Sequence, residues 1–291
     1  MRKIPLYEKG GIINESGGEY CTVRLRIPAG LITVDQMEGI VRIARKFNTE
    51  VHLTTRQTLE LVHVLPASLD LLAEDLAANG TPVGAEKAEI VNITACPGTN
   101  RCRFAMIDSI SLARTLDEKF FGKEMPVKFR IAVSSCPNSC VSERLNEIGI
   151  TGVVRPYRVP GTCTGCGTCV QYCREKAIAI KNGQIKMDEE RCVHCGMCIH
   201  SCPFHIIKAE PPAYHITIGG RRGRHPRVGY HVVTVKSPET VVKVIEMVVQ
   251  WVYRKAWSDS LLPDQLETLD FESFKNELVA GLDENEIVTG Y

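Results

Sequence analysis

Two closely spaced pairs of cysteines are the residues whose types and spacing point most directly to chemistry. Cys96 and Cys102 are separated by five residues, and Cys136 and Cys140 by three. A proline and a glycine inside the first pair predict a loop that brings its two thiolates together. If the proline after Cys136 opens a helix, both sulfurs of the second pair lie near its first turn. Four thiolates arranged in this way can hold one 4Fe-4S cluster.

The same four cysteines can also be read as unconnected core residues, because free cysteine is often buried as a small hydrophobe. Each pair, however, stands in a turn rich in Pro, Gly, Ser and Asn, where a core residue is not expected. The two motifs resemble the coupled sirohaem and 4Fe-4S site of the sulfite and nitrite reductase family. The resemblance implies that Cys140 also ligates the sirohaem iron.

Eight further cysteines form an internal repeat between about residues 157 and 211. Each half has the spacing C-x2-C-x2-C-x3-C of bacterial two-cluster ferredoxins, in which the fourth cysteine ligates the other cluster. The predicted ligand sets are Cys163, Cys166, Cys169 and Cys202 for one cluster, and Cys192, Cys195, Cys198 and Cys173 for the other. A zinc-ribbon alternative needs only two C-x2-C pairs per metal and leaves cysteines without a role. Arg174 stands where a proline usually follows the first repeat.

Cations precede the second cysteine pair in a strand-like run. Lys128 and Arg130 share one face of this run, which is costly to bury unless an anion lies there. The run resembles the Lys-Phe-Lys substrate-binding pair of the family, with Arg130 in place of the second lysine, which keeps the charge and changes the hydrogen-bond geometry. The resemblance gives Arg101, which adjoins Cys102, a role in offsetting substrate charge, and gives Arg103 and Asn138 a role in binding the cofactor.

A second cation motif, Thr54-Thr55-Arg56-Gln57-Thr58, connects two predicted strands. An arginine in such a connection is commonly just solvated. The pentapeptide nevertheless resembles the family motif whose arginine contacts the anionic substrate and whose neighbours contact sirohaem. Arg56 is therefore expected at the substrate, and Thr54, Thr55 and Gln57 at the cofactor.

A glycine turn follows the cysteine repeat and carries several arginines. Read alone, this run can be a nucleic-acid patch. Glycine backbone and arginine forks also suit the carboxylates around sirohaem, and the run resembles the family segment that lines this cofactor. The expected cofactor contacts are Gly219, Gly220, Arg221, Arg222 and Arg224.

Composition fits a globular cluster protein. The 291 residues are 44% hydrophobic, and 35 basic against 34 acidic side chains leave a net charge of +1, so bulk charge gives no reason to expect nucleic acid or membrane as partner. Met1 to Lys9 contain no apolar leader, and the most apolar stretch is interrupted by charges. We expect a cytoplasmic protein, in which thirteen cysteines are unusual as disulfides and natural as metal ligands. Cys21, in an alternating strand, is expected to be structural.

The predicted elements give an α+β fold. Strand, helix, strand, strand, helix over the first part of the chain is most of a split ferredoxin-like unit. The expected organisation is a ferredoxin-like half domain at 1–80, a sirohaem and 4Fe-4S domain at 81–156 and 212–258, an inserted two-cluster ferredoxin domain at 157–211, and a carboxy-terminal helix and tail at 259–291. The position of the insert resembles that in anaerobic and dissimilatory-type sulfite reductase subunits.

The resemblance implies six-electron reduction of sulfite to sulfide, with three 4Fe-4S clusters and sirohaem as cofactors. Expected partners are a second or related chain that completes the site, and a flavoprotein, iron-sulfur subunit or ferredoxin as electron donor. Nitrite as substrate remains open. So does a catalytically silent electron-transfer or structural subunit, although all four cations and all four cluster cysteines are retained. A plain polyferredoxin joined to an unrelated domain would leave the two cysteine pairs unexplained.

Overall fold

The computed structural model describes residues 10–258 and 260–290 of the chain. Residues 1–9, in which the sequence predicts no apolar leader, lie outside the described residues. The strands are β1 (Ile12–Asn14), β2 (Cys21–Arg24), β3 (Glu50–Leu53), β4 (Leu59–Val64), β5 (Thr94–Ala95), β6 (Ile131–Ser134), β7 (Ile148–Val153), β8 (Pro156–Arg158), β9 (Ile178–Lys181), β10 (Gln184–Met187), β11 (Ile207–Ala209), β12 (Ala213–Ile218) and β13 (Tyr230–Val235). The helices are α1 (Val34–Lys46), α2 (Leu69–Ala78), α3 (Ser109–Phe120), α4 (Thr168–Tyr172), α5 (Met197–Ser201), α6 (Pro238–Lys255), α7 (Leu262–Gln265) and α8 (Phe271–Ala280).

The first four strands form an antiparallel sheet in the order β1-β2-β4-β3. Helices α1 and α2 share its core, in which Val23, Ile40, Leu61 and Leu72 are fully buried. Helix α1 begins at a capping box, because the Thr33 hydroxyl accepts from the backbone of Gln36 while the Gln36 side chain accepts from the backbone of Thr33. The helices and the strands that the sequence predicts are thus both present, and together they form a split ferredoxin-like half.

The second sheet has five strands in the order β13-β12-β7-β6-β5. Strands β5, β6 and β7 run parallel, whereas β7, β12 and β13 are antiparallel neighbours. Helices α3 and α6 pack on this sheet, and Leu116, Phe129 and Val248 lie in their common core. Because β5 and β6 are parallel, their carboxyl ends meet at one edge, and the two cysteine pairs begin directly after these ends.

The cysteine-rich segment (residues 157–211) leaves the second sheet after β7 and returns at β12. Strands β8 and β11 pair with each other where the segment begins and ends, and β9 and β10 form a hairpin inside it. Helices α4 and α5 contact one another and carry Cys169 and Cys198. The buried side chains of the segment are mostly these cysteines and isoleucines, so its core is small.

Three stretches are less regular than the sequence predicts. The sequence predicts a strand over 89–94, but only β5 is regular, with two isolated bridges before it, from Glu89 to Glu124 and from Ile90 to Phe129. The sequence also predicts a strand over 126–133, which is regular only in β6, although Lys128 and Arg130 do alternate with buried neighbours. The helix considered after Cys136 is a turn, because Ser139 has a left-handed backbone with φ of 54°.

Among the described residues no helix is long and apolar enough to cross a membrane. The carboxy-terminal tail packs on the second sheet, where Phe274 stacks on Trp251 of α6 with ring centroids 4.4 Å apart. Part of the expected carboxy-terminal helix and tail therefore belongs to the hydrophobic core.

Candidate cofactor and substrate site

The four cysteines of the two pairs come together at the edge of the second sheet. Cys96 and Cys136 are buried, Cys102 is half-buried and Cys140 is exposed. Burial raises the pKa of Cys136, and the nearby Cys102, Cys96 and Cys140 raise it further, against a hydrogen bond from the Asn138 backbone. Cys136 therefore lies within electrostatic range of the other three thiols, as a shared cluster requires.

Hydroxyl and amide groups surround the Cys96 sulfur. The backbone N–H of Ser135 donates to Cys96 Sγ at 3.1 Å, and the Cys96 thiol donates to the Ser135 hydroxyl at 3.4 Å. Burial acts to raise the pKa of Cys96, but hydrogen bonds with Ser109 and Ser135 outweigh it, and the pKa is lowered. This favours the thiolate, the form that binds metal.

A buried carboxylate holds the turn that presents Cys140. Glu143 has no exposed surface and accepts hydrogen bonds from the Ser139 hydroxyl at 2.7 Å and from the Thr151 hydroxyl at 2.8 Å. Ser139 and Ser142, on either side of Cys140, both have left-handed backbones. The exposed position of the Cys140 sulfur is thus set by a constrained turn and not by a helix.

The eight cysteines of the cysteine-rich segment surround two separate cavities. One cavity is lined by Cys163, Cys166, Cys169 and Cys202, with Ile180, Ile185 and Ile206. The other is lined by Cys173, Cys192, Cys195 and Cys198, with Ile178 and Met187. These are the two groups that the repeat spacing predicts, and four thiols around a largely apolar space suit an iron-sulfur cluster. In the described part of the chain, no three His, Cys, Asp or Glu side chains are placed to hold a single metal ion.

Half-buried cations from separate parts of the sequence lie close together. They are called here the buried cation group, and they are Arg24, Arg56, Lys128, Arg130 and Arg222. Burial lowers the pKa of Arg56 to about 10, and repulsion from Arg130 and Arg222 adds to it. Burial also lowers the pKa of Lys128 to about 8, helped by Arg56, Arg24 and Arg130. Cations this close together repel one another, so the arrangement is favourable only where negative charge is available.

Three carboxylates, none of them expected from the sequence, contact the buried cation group. Glu147 is 2% exposed and accepts from Arg130 Nε at 2.6 Å and from the Arg130 backbone N–H at 3.0 Å. Glu86 contacts both Lys128 and Arg24. Glu60 accepts from Arg24 Nε at 2.9 Å. The sequence could have indicated Arg24, because the alternation of β2 places its side chain on the same face as the polar Thr22 and away from the buried neighbours.

Gln57, which is expected at the cofactor, has a side chain that joins the two sheets. Its side-chain amide donates to the Ala95 carbonyl at 2.7 Å, and its carbonyl oxygen accepts from the Ala95 N–H at 2.8 Å. This pairing resembles a strand contact on the free edge of β5, one residue before Cys96. The Gln57 backbone is left-handed, with φ of 56°. Arg56 and Cys96 are therefore tied together through adjacent residues.

We expect Gln57→Ala to lower the free energy of unfolding by about 1–3 kcal/mol, because the backbone groups of buried Ala95 lose both partners. Hydrogen exchange of the Ala95 amide, followed by mass spectrometry, should accelerate more than exchange elsewhere in the second sheet. Thr55→Ala, an exposed change two residues away, is the control. Unchanged exchange at Ala95 in the Gln57 variant would contradict this role.

The glycine and arginine segment is placed mostly against protein. A side chain at Gly220 would meet the carbonyl oxygens of Arg144 and Asn146 at 2.3 and 2.5 Å, so glycine here allows close backbone contact. Gly219 packs against Leu266. Arg222 Nη2 donates to the carbonyl of Val141, next to Cys140, at 2.7 Å. Arg222 thus links the buried cation group to the Cys140 turn.

Four further predicted site residues are not members of the buried cation group. Arg221 pairs with Asp264 at 2.8 Å, and Arg224 is exposed. Thr54 accepts from the Arg56 N–H at 3.2 Å and shapes the turn, while Thr55 is exposed. Their roles at substrate or cofactor stay predictions.

A cavity of about 700 Å³ opens beside the exposed cysteine and is called here the Cys140 cavity. Arg103, Phe104, Asn138 and Cys140 line one side of it, and the Arg103 guanidinium stacks on the Phe104 ring. None of the five buried cations is among the described residues that line this cavity. Arg101, expected with the substrate cations, is exposed on the turn before Cys102. The chain thus presents a sulfur with its own cavity and, separately, a cation group.

Comparison with known proteins places both sheets in one family. The family model described as "Nitrite and sulphite reductase 4Fe-4S domain" matches residues 86–285, and "Nitrite/Sulfite reductase ferredoxin-like half domain" matches residues 12–79. The crystal structure of dissimilatory sulfite reductase I superposes with a TM-score of 0.72 at 18% identity, over 96% of this chain and 78% of that one, which shows a shared fold. The α+β prediction with a ferredoxin-like half is confirmed.

Two curated relatives align along most of the chain. The coenzyme F420-dependent sulfite reductase of Methanocaldococcus jannaschii is 31% identical over 240 residues, which are 82% of this chain but only 38% of that protein. One of the subunits of anaerobic sulfite reductase from Salmonella typhimurium is 28% identical over 248 residues, 77% of this chain and 72% of the relative. Since one family model alone spans well over half of the chain, the protein belongs to the nitrite and sulphite reductase family.

Proposed function

We propose that this chain is the catalytic subunit of a sirohaem-dependent sulfite reductase that reduces sulfite to sulfide. The observation that carries the proposal is the buried cation group, in which five cations outnumber the three carboxylates that contact them. A small oxyanion is the kind of ligand that such an excess of positive charge favours. Relatives named as sulfite reductases support sulfite over nitrite as the first substrate to test.

We further propose that the residues fit three 4Fe-4S clusters and one sirohaem. Cys96, Cys102, Cys136 and Cys140 would hold the cluster coupled to sirohaem, and the cysteine-rich segment would be a ferredoxin domain with two more. The exposed Cys140 sulfur beside a cavity of about 700 Å³ fits a ligand shared with a large cofactor. When bound, these groups supply electrons and an open iron position for sulfite.

The chain's own residues would bind the substrate and supply protons. Arg56 and Arg130 would bind the sulfite oxygens and offset their charge, and Glu147 would keep the Arg130 fork oriented. Lys128, whose pKa is lowered to about 8, would hold a proton on Nζ that it can give to a departing oxygen near neutral pH. The repulsion among these cations destabilises the free protein, and a bound anion would relieve it.

A second copy of the chain, or a related subunit, would complete each site. Among the described residues, no member of the buried cation group lines the Cys140 cavity. A symmetric pair can bring the cations of one chain to the Cys140 cavity of the other. An electron-donating flavoprotein or iron-sulfur partner would then deliver electrons to the cysteine-rich segment.

Anaerobic purification with iron, sulfide and haem analysis tests this function, followed by reduced-viologen assays with sulfite and nitrite side by side. Sirohaem absorption, about twelve cluster irons per chain and sulfite turnover would support it. Clusters without sirohaem, or sirohaem without turnover, would favour the electron-transfer subunit instead. Faster turnover of nitrite would reassign the substrate within the family.

We expect kcat/KM for sulfite to fall above about pH 8, because the lowered pKa lets Lys128 lose its proton and its charge there. In Lys128→Arg the charge persists to higher pH, and the alkaline limb should move upward by more than one pH unit while kcat falls. Titration of sulfite itself is common to both proteins and cancels in the comparison. An identical alkaline limb in both would show that another group controls it.

A further inference from the structure

The cysteine-rich segment supplies part of the lining of the Cys140 cavity. Tyr172, Arg174, Met197 and His200 line it together with Phe104 and Cys140. This part is fixed to the rest of the chain, because the His200 ring meets the Phe104 ring edge-on at 6.2 Å and the Val154 N–H donates to the His194 carbonyl at 3.0 Å. The segment is therefore part of the cavity and not only a neighbour of it.

Arg174 is the position at which the two halves of the repeat differ in chemistry. Cys202 is followed by Pro203, which lines one of the four-cysteine cavities, whereas Cys173 is followed by Arg174, which lines the Cys140 cavity. Proline has no side-chain donor, but an arginine carries five N–H groups in a fork that matches a carboxylate. The first half thus directs a cation out of its own core into the cavity beside Cys140.

The lining of the cavity suits one kind of ligand. Phe104, Tyr172 and Met197 offer apolar surface, Arg103 and Arg174 add two cations, and no carboxylate side chain is among the described lining residues. A flat apolar ring with an acidic rim satisfies both features. A macrocycle that carries carboxylates and an iron able to take the Cys140 sulfur has this form.

We propose that Arg174 binds a carboxylate of the tetrapyrrole held at Cys140, so that the cysteine-rich segment is part of the cofactor site. This rests on the proposed function, in which sirohaem is that tetrapyrrole. An acidic surface of an electron-donor protein is the other source of carboxylates. The cofactor is favoured because Arg174 shares the cavity with the Cys140 sulfur and with apolar side chains that a polar docking surface would leave uncovered.

The test compares wild type, Arg174→Gln, Arg174→Lys and Lys186→Gln, each purified anaerobically with its clusters. Lys186, exposed on the β9–β10 hairpin and absent from the cavity lining, is the matched charge control. Sirohaem absorption is followed over time during dialysis, and iron content reports the clusters. Loss of a charge-assisted hydrogen bond should make Arg174→Gln lose sirohaem about tenfold faster, with Arg174→Lys intermediate and Lys186→Gln like wild type.

Equal retention of sirohaem by Arg174→Gln and wild type would overturn this inference while leaving the proposed function intact. Reduced turnover with a protein donor, but not with viologen, at unchanged retention would also overturn it and assign Arg174 to docking. Wild type that binds no sirohaem would refute the proposed function and this inference together. Unchanged cluster iron in Arg174→Gln shows that the segment has folded.

Discussion

Arg56→Met and Cys140→Ser chains, each inactive alone, should regain sulfite reduction when they assemble with each other. Each substitution is expected to lower viologen-driven turnover by at least about 10²-fold, since the proposed function makes Arg56 a substrate cation and Cys140 a shared ligand. If the cations of one chain serve the Cys140 cavity of the other, a mixed dimer contains one intact site. Its activity should be about half that of the wild-type dimer.

Chains with two different affinity tags allow the mixed dimer to be purified after co-expression and assayed with reduced viologen. Cys21→Ser is the cysteine control, because Cys21 lies in the core of the first sheet and contacts Asn14 rather than any other thiol. This variant should keep its turnover. A mixed dimer as inactive as its parents would mean that the cations and Cys140 of one chain act in the same site.

Glu147→Gln should lower the free energy of unfolding by about 3–5 kcal/mol, which makes it the largest single stability loss expected among the charged residues. Glu147 is 2% exposed and Arg130 16%, so the change leaves a poorly solvated guanidinium without its carboxylate. It also removes the attraction that partly offsets the low pKa values of Arg56 and Lys128. Urea unfolding followed by circular dichroism measures the loss.

Two further variants separate this effect from a simple loss of packing. Arg130→Met combined with Glu147→Gln should recover much of the stability, because no unpaired charge remains. Glu267→Gln breaks the pair with Arg227 at a carboxylate that is 69% exposed, and should cost less than about 1 kcal/mol. A double variant no more stable than Glu147→Gln would contradict the charge explanation.

Local sequence signals predicted the regular elements well. Helix α6 follows local signals, because Ser237 caps it, Pro238 occupies its first turn and one apolar face continues to Val252. The grouping of eight cysteines around two cavities follows from spacing alone. The alternation that places Lys128 and Arg130 together is also visible in the sequence.

What the sequence could not provide were contacts made by distant residues. The pairing of Arg130 with Glu147 depends on the parallel register of β6 and β7, which no local pattern reveals. Gln57 and Ala95 are far apart in the sequence and belong to different sheets, so the motif could not reveal the hydrogen bonds between them. The resemblance gave the Gln57 amide a role at the cofactor. Pro137 suits the start of a helix, so the sequence allowed a helix after Cys136. In the structure the buried Glu143 accepts a hydrogen bond from Ser139 and holds it in a left-handed turn.

The points at which the cysteine-rich segment joins the second sheet determine how the segment can be exchanged. Strands β7 and β12 are antiparallel neighbours, with Val153 opposite Ala213, so a short hairpin turn could replace everything between them. Strands β8 and β11 close the segment at its base through their own pairing. The segment can therefore be exchanged as a module at one cut site, without changing the register of the host sheet. A protein that gains or loses this segment needs to change only the length of the connection between β7 and β12.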